Sequence, residues 1–152
     1  MPKVDIENVY MEIAYAVAKL SYAKRRQVGC VIVKDDQIVS FGYNGTPKGF
    51  DNDCEDTVPC KNECNCGGCE TTVTKKEVLH AESNALTKIA KSTLSSDGAD
   101  LYTTTAPCFD CAKLIIQSGI KRVFYNESYR DMSGVALLKQ ANIKTTLTFV
   151  NT

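Results

Sequence analysis

The 152-residue chain carries 18 basic and 18 acidic side chains, no net charge and a single histidine. That length most simply makes one domain, residues 1–152, with enough chain to bury a substantial core, and the neutral balance leaves no basic footprint for a nucleic-acid polymer. No apolar run approaches membrane-spanning length and the opening MPKVDIENVY lacks a signal peptide's apolar stretch, so the expectation is a soluble cytoplasmic protein (host cytoplasm for a viral one) with no membrane partner; there, eight cysteines suggest metal sites or free thiols rather than disulfides.

Ile6, Val9, Tyr10, Ile13, Val17 and Leu20 recur at helical spacing and predict an amphipathic helix ending near Ala23. Lys24, Arg25 and Arg26 follow, with two readings: charges complementing a helix C-terminus, or a phosphate clamp. Residues 28–33 are apolar throughout, as in a strand covered on both faces, and 38–43 returns as its hairpin partner after the Asp35-Asp36 turn. The turn-rich Gly42-Tyr43-Asn44-Gly45-Thr46-Pro47 brings backbone within reach of a ligand; Asn44 is either a turn residue or an amide for a sugar hydroxyl.

Residues 46–76 form a Cys-rich insertion without clear periodicity, holding Cys54, Cys60, Cys64, Cys66 and Cys69. A structureless loop of that length needs another organiser. Four of the five thiols suffice for a second, structural Zn²⁺, with Cys66 and Cys69 around the Gly67-Gly68 turn the firmest choices; the alternative is a mobile loop with free thiols.

Val78, Leu79, Ala85, Leu86, Ile89 and Ala90 surround Glu82 at the spacing of a core-facing helical stripe. A carboxylate in that stripe loses water, which raises its pKa and suits it to proton transfer near neutrality. His80 lies two residues earlier, roughly 200° round an ideal helix, so it converges with Glu82 only by leaving from the helix's first, half-formed turn. Residues 95–98 break the chain, and 101–105 reads as a strand leading into a helix whose first residue is Pro107. Cys108, Cys111, Ala112 and Ile115 then share one face, and a helix N-terminus favours thiolates. After Gly119 come a strand at 120–125, a loop at 126–131 with Tyr129 and Arg130, a helix at 135–141 and a strand at 143–150. Strands separated by crossover helices imply an α/β fold with a mixed sheet and helices on both faces.

His80-Ala81-Glu82 followed by Pro107-Cys108-Phe109-Asp110-Cys111 matches the pattern of zinc-dependent nucleobase deaminases. One His and two Cys leave the fourth tetrahedral position of a Zn²⁺ for water, as a catalytic site requires. A redox C-x-x-C pair with a core histidine is the plainer alternative.

Together with Val28-Gly29-Cys30, the GYNGTP stretch, Ser83-Asn84-Ala85, Ala112-Lys113 and residues 117–121, these motifs resemble the deoxycytidylate (dCMP) deaminases of the cytidine deaminase superfamily, over about residues 10–143. The resemblance implies a three-layer α/β/α cytidine-deaminase-like fold with a five-stranded mixed sheet. It implies hydrolysis of dCMP to dUMP and ammonia for thymidylate synthesis, with His80, Cys108 and Cys111 on zinc and Glu82 moving protons. By the same resemblance Asn44 meets the deoxyribose, Ala81, Thr105, Ala106 and Pro107 line the base pocket, Tyr129 packs beside the nucleotide, and Arg25 or Arg26 meets the 5′-phosphate. It further implies a homohexamer activated by dCTP and inhibited by dTTP, with Mg²⁺ accompanying these effectors and Tyr43, Asn44 and Gly45 at the regulatory site. The chain departs from phage-type relatives at Ala23, where those carry a structural-zinc cysteine. Two rival readings are a deaminase of another cytosine or adenine nucleoside, nucleotide or tRNA base, and a zinc-stabilised binding module without catalysis. A tRNA enzyme calls for a basic surface this neutral chain lacks, and a structural module gains nothing from Glu82 on a core stripe.

Overall fold

The computed structural model describes residues 4–61 and 67–151. In chain order the elements are α1 (Ile6–Ala18), β1 (Gly29–Lys34), β2 (Gln37–Tyr43), β3 (Glu55–Pro59), β4 (Glu70–Thr74), α2 (Ala81–Ala90), β5 (Asp100–Thr105), α3 (Phe109–Gln117), β6 (Arg122–Glu127), α4 (Ser133–Gln140) and β7 (Lys144–Leu147). The main sheet has the order β2-β1-β5-β6-β7. β1 runs antiparallel to both β2 and β5, whereas β5, β6 and β7 are parallel, so the sheet is mixed as the sequence implies.

Strands β1 and β5 are buried almost from end to end, and such strands need cover on both faces. Alternation divides their side chains. Val31, Val33 and Tyr102, with Phe124 of β6, meet Tyr10, Met11, Ala14 and Val17 of α1. Cys30, Ile32, Leu101 and Val123 meet Ala81, Ala85 and Ile89 of α2, Ala112 and Ile115 of α3, and Leu138 of α4. One helix covers one face and three cover the other, which makes the α/β/α sandwich.

α2 lies against β2 closely enough to require a glycine at position 42. A Cβ on Gly42 would stand 2.4 Å from the carbonyl oxygen of Ala81 and 2.5 Å from the backbone nitrogen of Ala85. Neither is a flexible tip that can swing away, so only glycine lets the helix lie this close. Ser40, two residues back on the same face, donates to the Ala85 carbonyl at 2.7 Å and fixes the helix along its axis.

Four sequence expectations change. The first helix stops at Ala18 rather than near Ala23, because the Ser21 hydroxyl bonds the Asn44 carbonyl at 2.7 Å and accepts the Ala23 N–H at 3.2 Å, turning the chain away. Leu20 is consequently exposed. Insertion 46–76 is not structureless: β3 and β4 pair antiparallel from Glu55↔Thr74 to Pro59↔Glu70 as a separate ribbon. Its base is closed by the Lys75 N–H on the Cys54 carbonyl (2.9 Å) and by the Lys75 ammonium 3.5 Å from Asp53. The α2 stripe is Ala81, Glu82, Ala85 and Ile89; Val78 and Leu79 precede the helix, and Leu79 instead pairs with Gly45 in an isolated bridge. The last strand covers Lys144–Leu147 only.

Gly42→Ala should destabilise the fold by about 2–3 kcal/mol, the usual range for overpacking against rigid backbone, read from the midpoint of denaturant unfolding. An unchanged midpoint would mean that α2 does not sit on β2 as described.

Candidate active site

The C-terminal end of β5, between antiparallel β1 and parallel β6, faces the N-termini of α2 and α3. A crevice where strand direction changes is the expected ligand position in an open α/β sheet. Here it holds a cavity of about 440 Å³ lined by His80, Ala81, Glu82, Thr105, Ala106 and Cys108, among others.

His80 is the N-cap of α2, with extended backbone (φ −77°, ψ 159°). Departure from outside the regular helix is what the sequence required of it, and it places the imidazole on the cavity that Glu82 also lines. Cys108 is the N-cap of α3, so Pro107 lies just before the helix and is not its first residue. The thiol takes the capping role itself, with Sγ accepting the Cys111 N–H at 3.4 Å. Cys111, Ala112 and Ile115 form the buried face of α3, while Cys108 reaches the same point from the extended side.

The sulfurs of Cys108 and Cys111 lie 3.3 and 3.4 Å from Nδ1 of His80. One imidazole nitrogen has a single in-plane hydrogen-bonding site and cannot serve two thiols well. Nitrogen and sulfur ligands of a tetrahedral zinc stand roughly 3.6 Å apart, so this convergence fits a zinc ion. Cys108 is drawn down to about 4, chiefly because the Cys111 thiol donates to it and His80 reinforces the effect; Cys111 is pushed up by the same bond and by burial. His80 is raised by its bond to Cys108, against its own desolvation. A dication on the three atoms replaces the shared proton and lets both sulfurs be thiolates.

Glu82 is 4% exposed in the first turn of α2. Burial raises its carboxyl above the ordinary glutamate range, opposed by its own backbone N–H, by His80 and by Thr103. Thr103, fully buried on β5, donates to Oε1 of Glu82 at 3.2 Å and lies 3.0 Å from the Thr105 carbonyl. A hydroxyl has one proton to give. It goes to Glu82 when that group is a carboxylate, and to Thr105 when a protonated Glu82 becomes the donor. Thr103 thus holds Oε1 in either state, and nothing in the run Thr103-Thr104-Thr105 marks it before the strand register is known.

The cavity gathers most of the proposed nucleotide contacts: Arg25, Arg26, Asn44, Ala81, Thr105, Ala106 and Tyr129 line it, while Pro107 is buried behind. Because α1 ends at Ala18, the two arginines do not complement its C-terminus. Asn44 is a cross-brace: Oδ1 accepts the Val28 N–H (2.9 Å) and Nδ2 donates to the Arg26 carbonyl (2.8 Å), leaving one N–H and one lone pair. The Thr105 hydroxyl is buried without a partner among the described residues. The sequence reading missed Glu55 and Arg130, both of which line the cavity. Of the residues assigned to a regulatory site, the Tyr43 carbonyl accepts from Asn84 at 2.8 Å, and Gly45 exchanges both backbone bonds with Leu79 (2.8 and 3.0 Å).

In the insertion, Cys64 and Cys66 lie outside the described residues. Cys60 and Cys69 face each other beyond the ends of β3 and β4, where the Cys60 N–H bonds the Cys69 carbonyl at 3.0 Å. Cys54 is buried at the opposite end of β3 with its thiol toward the Asn52 carbonyl, and six residues of strand put it roughly 20 Å away.

The family description for the cytidine and deoxycytidylate deaminase zinc-binding region matches residues 5–127. The deoxycytidylate deaminase of Schizosaccharomyces pombe is 40% identical over 141 residues, covering 89% of this chain and 41% of its own length. That of enterobacteria phage T4 is 36% identical over 150 residues, covering 80% of this chain and 78% of its own. The chain spans less than half the length of the yeast relatives it matches. Among solved structures, the dCMP deaminase of cyanophage S-TIM5 in complex with dCMP and dUMP is similar with a TM-score of 0.81 at 39% identity, covering 97% of this chain and 100% of that one. No helix among the described residues is long and apolar enough to cross a membrane. By motif, fold and relatives alike, the chain belongs to the cytidine and deoxycytidylate deaminase family.

Proposed function

We propose that this protein hydrolyses dCMP to dUMP and ammonia. The observation that carries the reading is Glu82, a carboxyl buried to 4% exposure that opens on the same cavity as a His/Cys/Cys donor set fit for zinc. The S-TIM5 relative, similar along nearly the whole chain, was crystallised with dCMP and dUMP, which supports the substrate class.

His80, Cys108 and Cys111 would hold the Zn²⁺, whose chemistry when bound is to activate water for attack on C4 of the cytosine ring. Glu82 takes one proton from that water and passes it to ring N3, then takes the second from the new C4 hydroxyl and gives it to the amine, so the C4–N bond breaks as the C4 carbonyl forms. Its raised pKa suits both directions of transfer, because a carboxyl at its ordinary value is a poor acid at neutral pH. Thr103 keeps the group aimed through the cycle. The Thr105 hydroxyl and the Ala81 and Ala106 walls bound the base, and Asn44 and Tyr129 border the sugar. Arg25, Arg26 and Arg130, which line the same cavity, supply the guanidiniums that suit a 5′-phosphate.

The resemblance extends this reading to a homohexamer activated by dCTP and inhibited by dTTP with Mg²⁺, binding near Tyr43, Asn44 and Gly45. The cysteine cluster of the insertion adds a structural Zn²⁺ to this reading. Cys54 is too distant to join Cys60 and Cys69, so the ligand set is Cys60, Cys64, Cys66 and Cys69.

Glu82→Gln should lower kcat for dCMP by about three orders of magnitude or more while zinc content and thermal stability stay near wild type. An unaffected rate removes the proton-transfer role, and wild-type preference for deoxycytidine or an RNA substrate removes dCMP as substrate. In the same steady-state assay, dCTP should raise and dTTP should lower the rate at low dCMP; a flat response to both discards the regulatory site. Elemental analysis should find two zinc ions per chain, falling to one in Cys60→Ser/Cys69→Ser. An unchanged ratio in that variant discards the insertion metal.

A further inference from the structure

Glu55, at the first position of β3, is 7% exposed and belongs to no apolar cluster. Its Oε1 accepts two backbone N–H groups, from Lys24 at 2.8 Å and from Arg25 at 3.1 Å. Its Oε2 is buried with no partner among the described residues, and the side chain borders the cavity that Arg25, Arg26 and Thr74 also line.

An orphaned carboxylate oxygen costs stability, and a neutral acceptor such as Gln would cap the same two N–H groups without the charge. What the carboxylate adds is strength, since hydrogen bonds to an ionised acceptor are roughly twice as strong as neutral ones. The segment it holds is the one after α1 that has no helix or strand of its own. Towards its ends it is tied by the Ser21 hydroxyl on the Asn44 carbonyl, the Gln27 amide on the Ser21 carbonyl, the Asn44 N–H on the Val28 carbonyl, and the Asn44 amide on Val28 and Arg26. The Arg26–Glu127 ion pair at 3.8 Å is about half exposed at both ends and therefore weak. Between Ala23 and Arg26 the backbone N–H groups of Lys24 and Arg25 bond only to Glu55 among the described residues. Glu55 in turn is fixed by the β3–β4 ribbon, where it stands opposite Thr74.

We propose that Glu55 is a positioning residue for phosphate recognition: reaching in from the insertion, its carboxylate sets the backbone from which Arg25 and Arg26 meet the 5′-phosphate. The role rests on the dCMP reading above and gives the insertion a part in substrate selection besides any metal it carries. Because the bond is made before substrate arrives and lies away from the reacting carbon, it acts on binding of phosphorylated substrates and leaves the chemical step alone.

Steady-state kinetics with dCMP and with deoxycytidine, which lacks the phosphate, test it in Glu55→Ala, Glu55→Gln and Glu55→Asp. Glu55→Ala should raise KM for dCMP by about tenfold, with kcat and the deoxycytidine kcat/KM each within about twofold of wild type, so the preference for the phosphorylated substrate falls about tenfold. Glu55→Gln should fall between wild type and Glu55→Ala, because its amide oxygen still accepts both N–H groups but more weakly than a carboxylate. Should Glu55→Ala fail to fold, Glu55→Asp keeps the charge one methylene short of the loop and should show the same selective loss. Calorimetric affinities for dUMP against deoxyuridine make the comparison where deoxycytidine turnover is slow. Equal losses on the phosphorylated and unphosphorylated compounds, or a fall in kcat at unchanged KM, would overturn the role of Glu55 while leaving dCMP deamination intact. A wild-type protein that neither deaminates dCMP nor binds dUMP overturns the activity, and this role with it.

Discussion

The site depends on keeping one carboxyl out of water beside an imidazole and two thiols. Desolvating an ionised carboxylate costs several kcal/mol, whereas the single hydroxyl that Thr103 offers returns about one to three. Desolvation wins, and the outcome is a raised pKa rather than a quiet ion pair. The compensation comes from helix geometry. Glu82 sits in the first turn of α2 and the two thiols at the start of α3, so both helices direct unpaired N–H groups and the positive ends of their dipoles into the same small volume. That field offsets part of the desolvation without reversing it, and the Glu82 carboxyl still lies above its ordinary range. Every larger feature follows from bringing those two helix ends together: α2 seated on the glycine of β2, α3 fed directly from β5, and α4 packed close behind. A Cβ on Gly134 of α4 would fall 2.2 Å from the Pro107 carbonyl, so α4 presses on the turn that carries Cys108.

Much of this was legible in the sequence because burial in a two-sided sheet leaves a plain trace. Residues 28–33 read as a strand covered on both faces and 101–105 as a strand, and β1 and β5 are buried almost throughout. Placing His80 in the helix's first, half-formed turn needed only the angle between successive residues, since His80 and Glu82 cannot converge from one regular helix; it is the N-cap of α2. The same kind of reasoning misplaced the start of α3. Proline is a good first helical residue, but a cysteine thiol that accepts the Cys111 N–H is a better N-cap in this setting, and the helix begins after it. No propensity scale contains that preference, because it arises from the site.

The insertion was opaque for a different reason. β4 is exposed along its whole length and β3 is buried only at Glu55, so neither strand carries an alternating apolar pattern. The available signal was the β-branched run Thr71-Thr72-Val73-Thr74, which suits a pleated surface without needing a core. Thr103 and Glu55 were invisible in kind. Each matters through a partner 21 or 31 positions away along the chain, and only strand register brings those partners together. The end of α1 belongs with them: helical spacing runs on through Leu20, and a hydroxyl at Ser21 with its acceptor at Asn44 overrides it.

These two kinds of residue divide the molecule by task. Groups proposed to move protons or hold metal stand on helix ends seated against the central strands, where overpacking is penalised and position is fixed to a fraction of an ångström. Groups proposed to recognise sugar and phosphate stand on the segments 23–28 and 126–131 and at the base of the β3–β4 ribbon, which are held by a few hydrogen bonds each. Altering such a segment changes what enters the cavity without disturbing what happens at its floor. The proposed reaction is therefore legible from two short motifs, while the proposed choice of nucleotide has to be read from weaker, longer-range bonds.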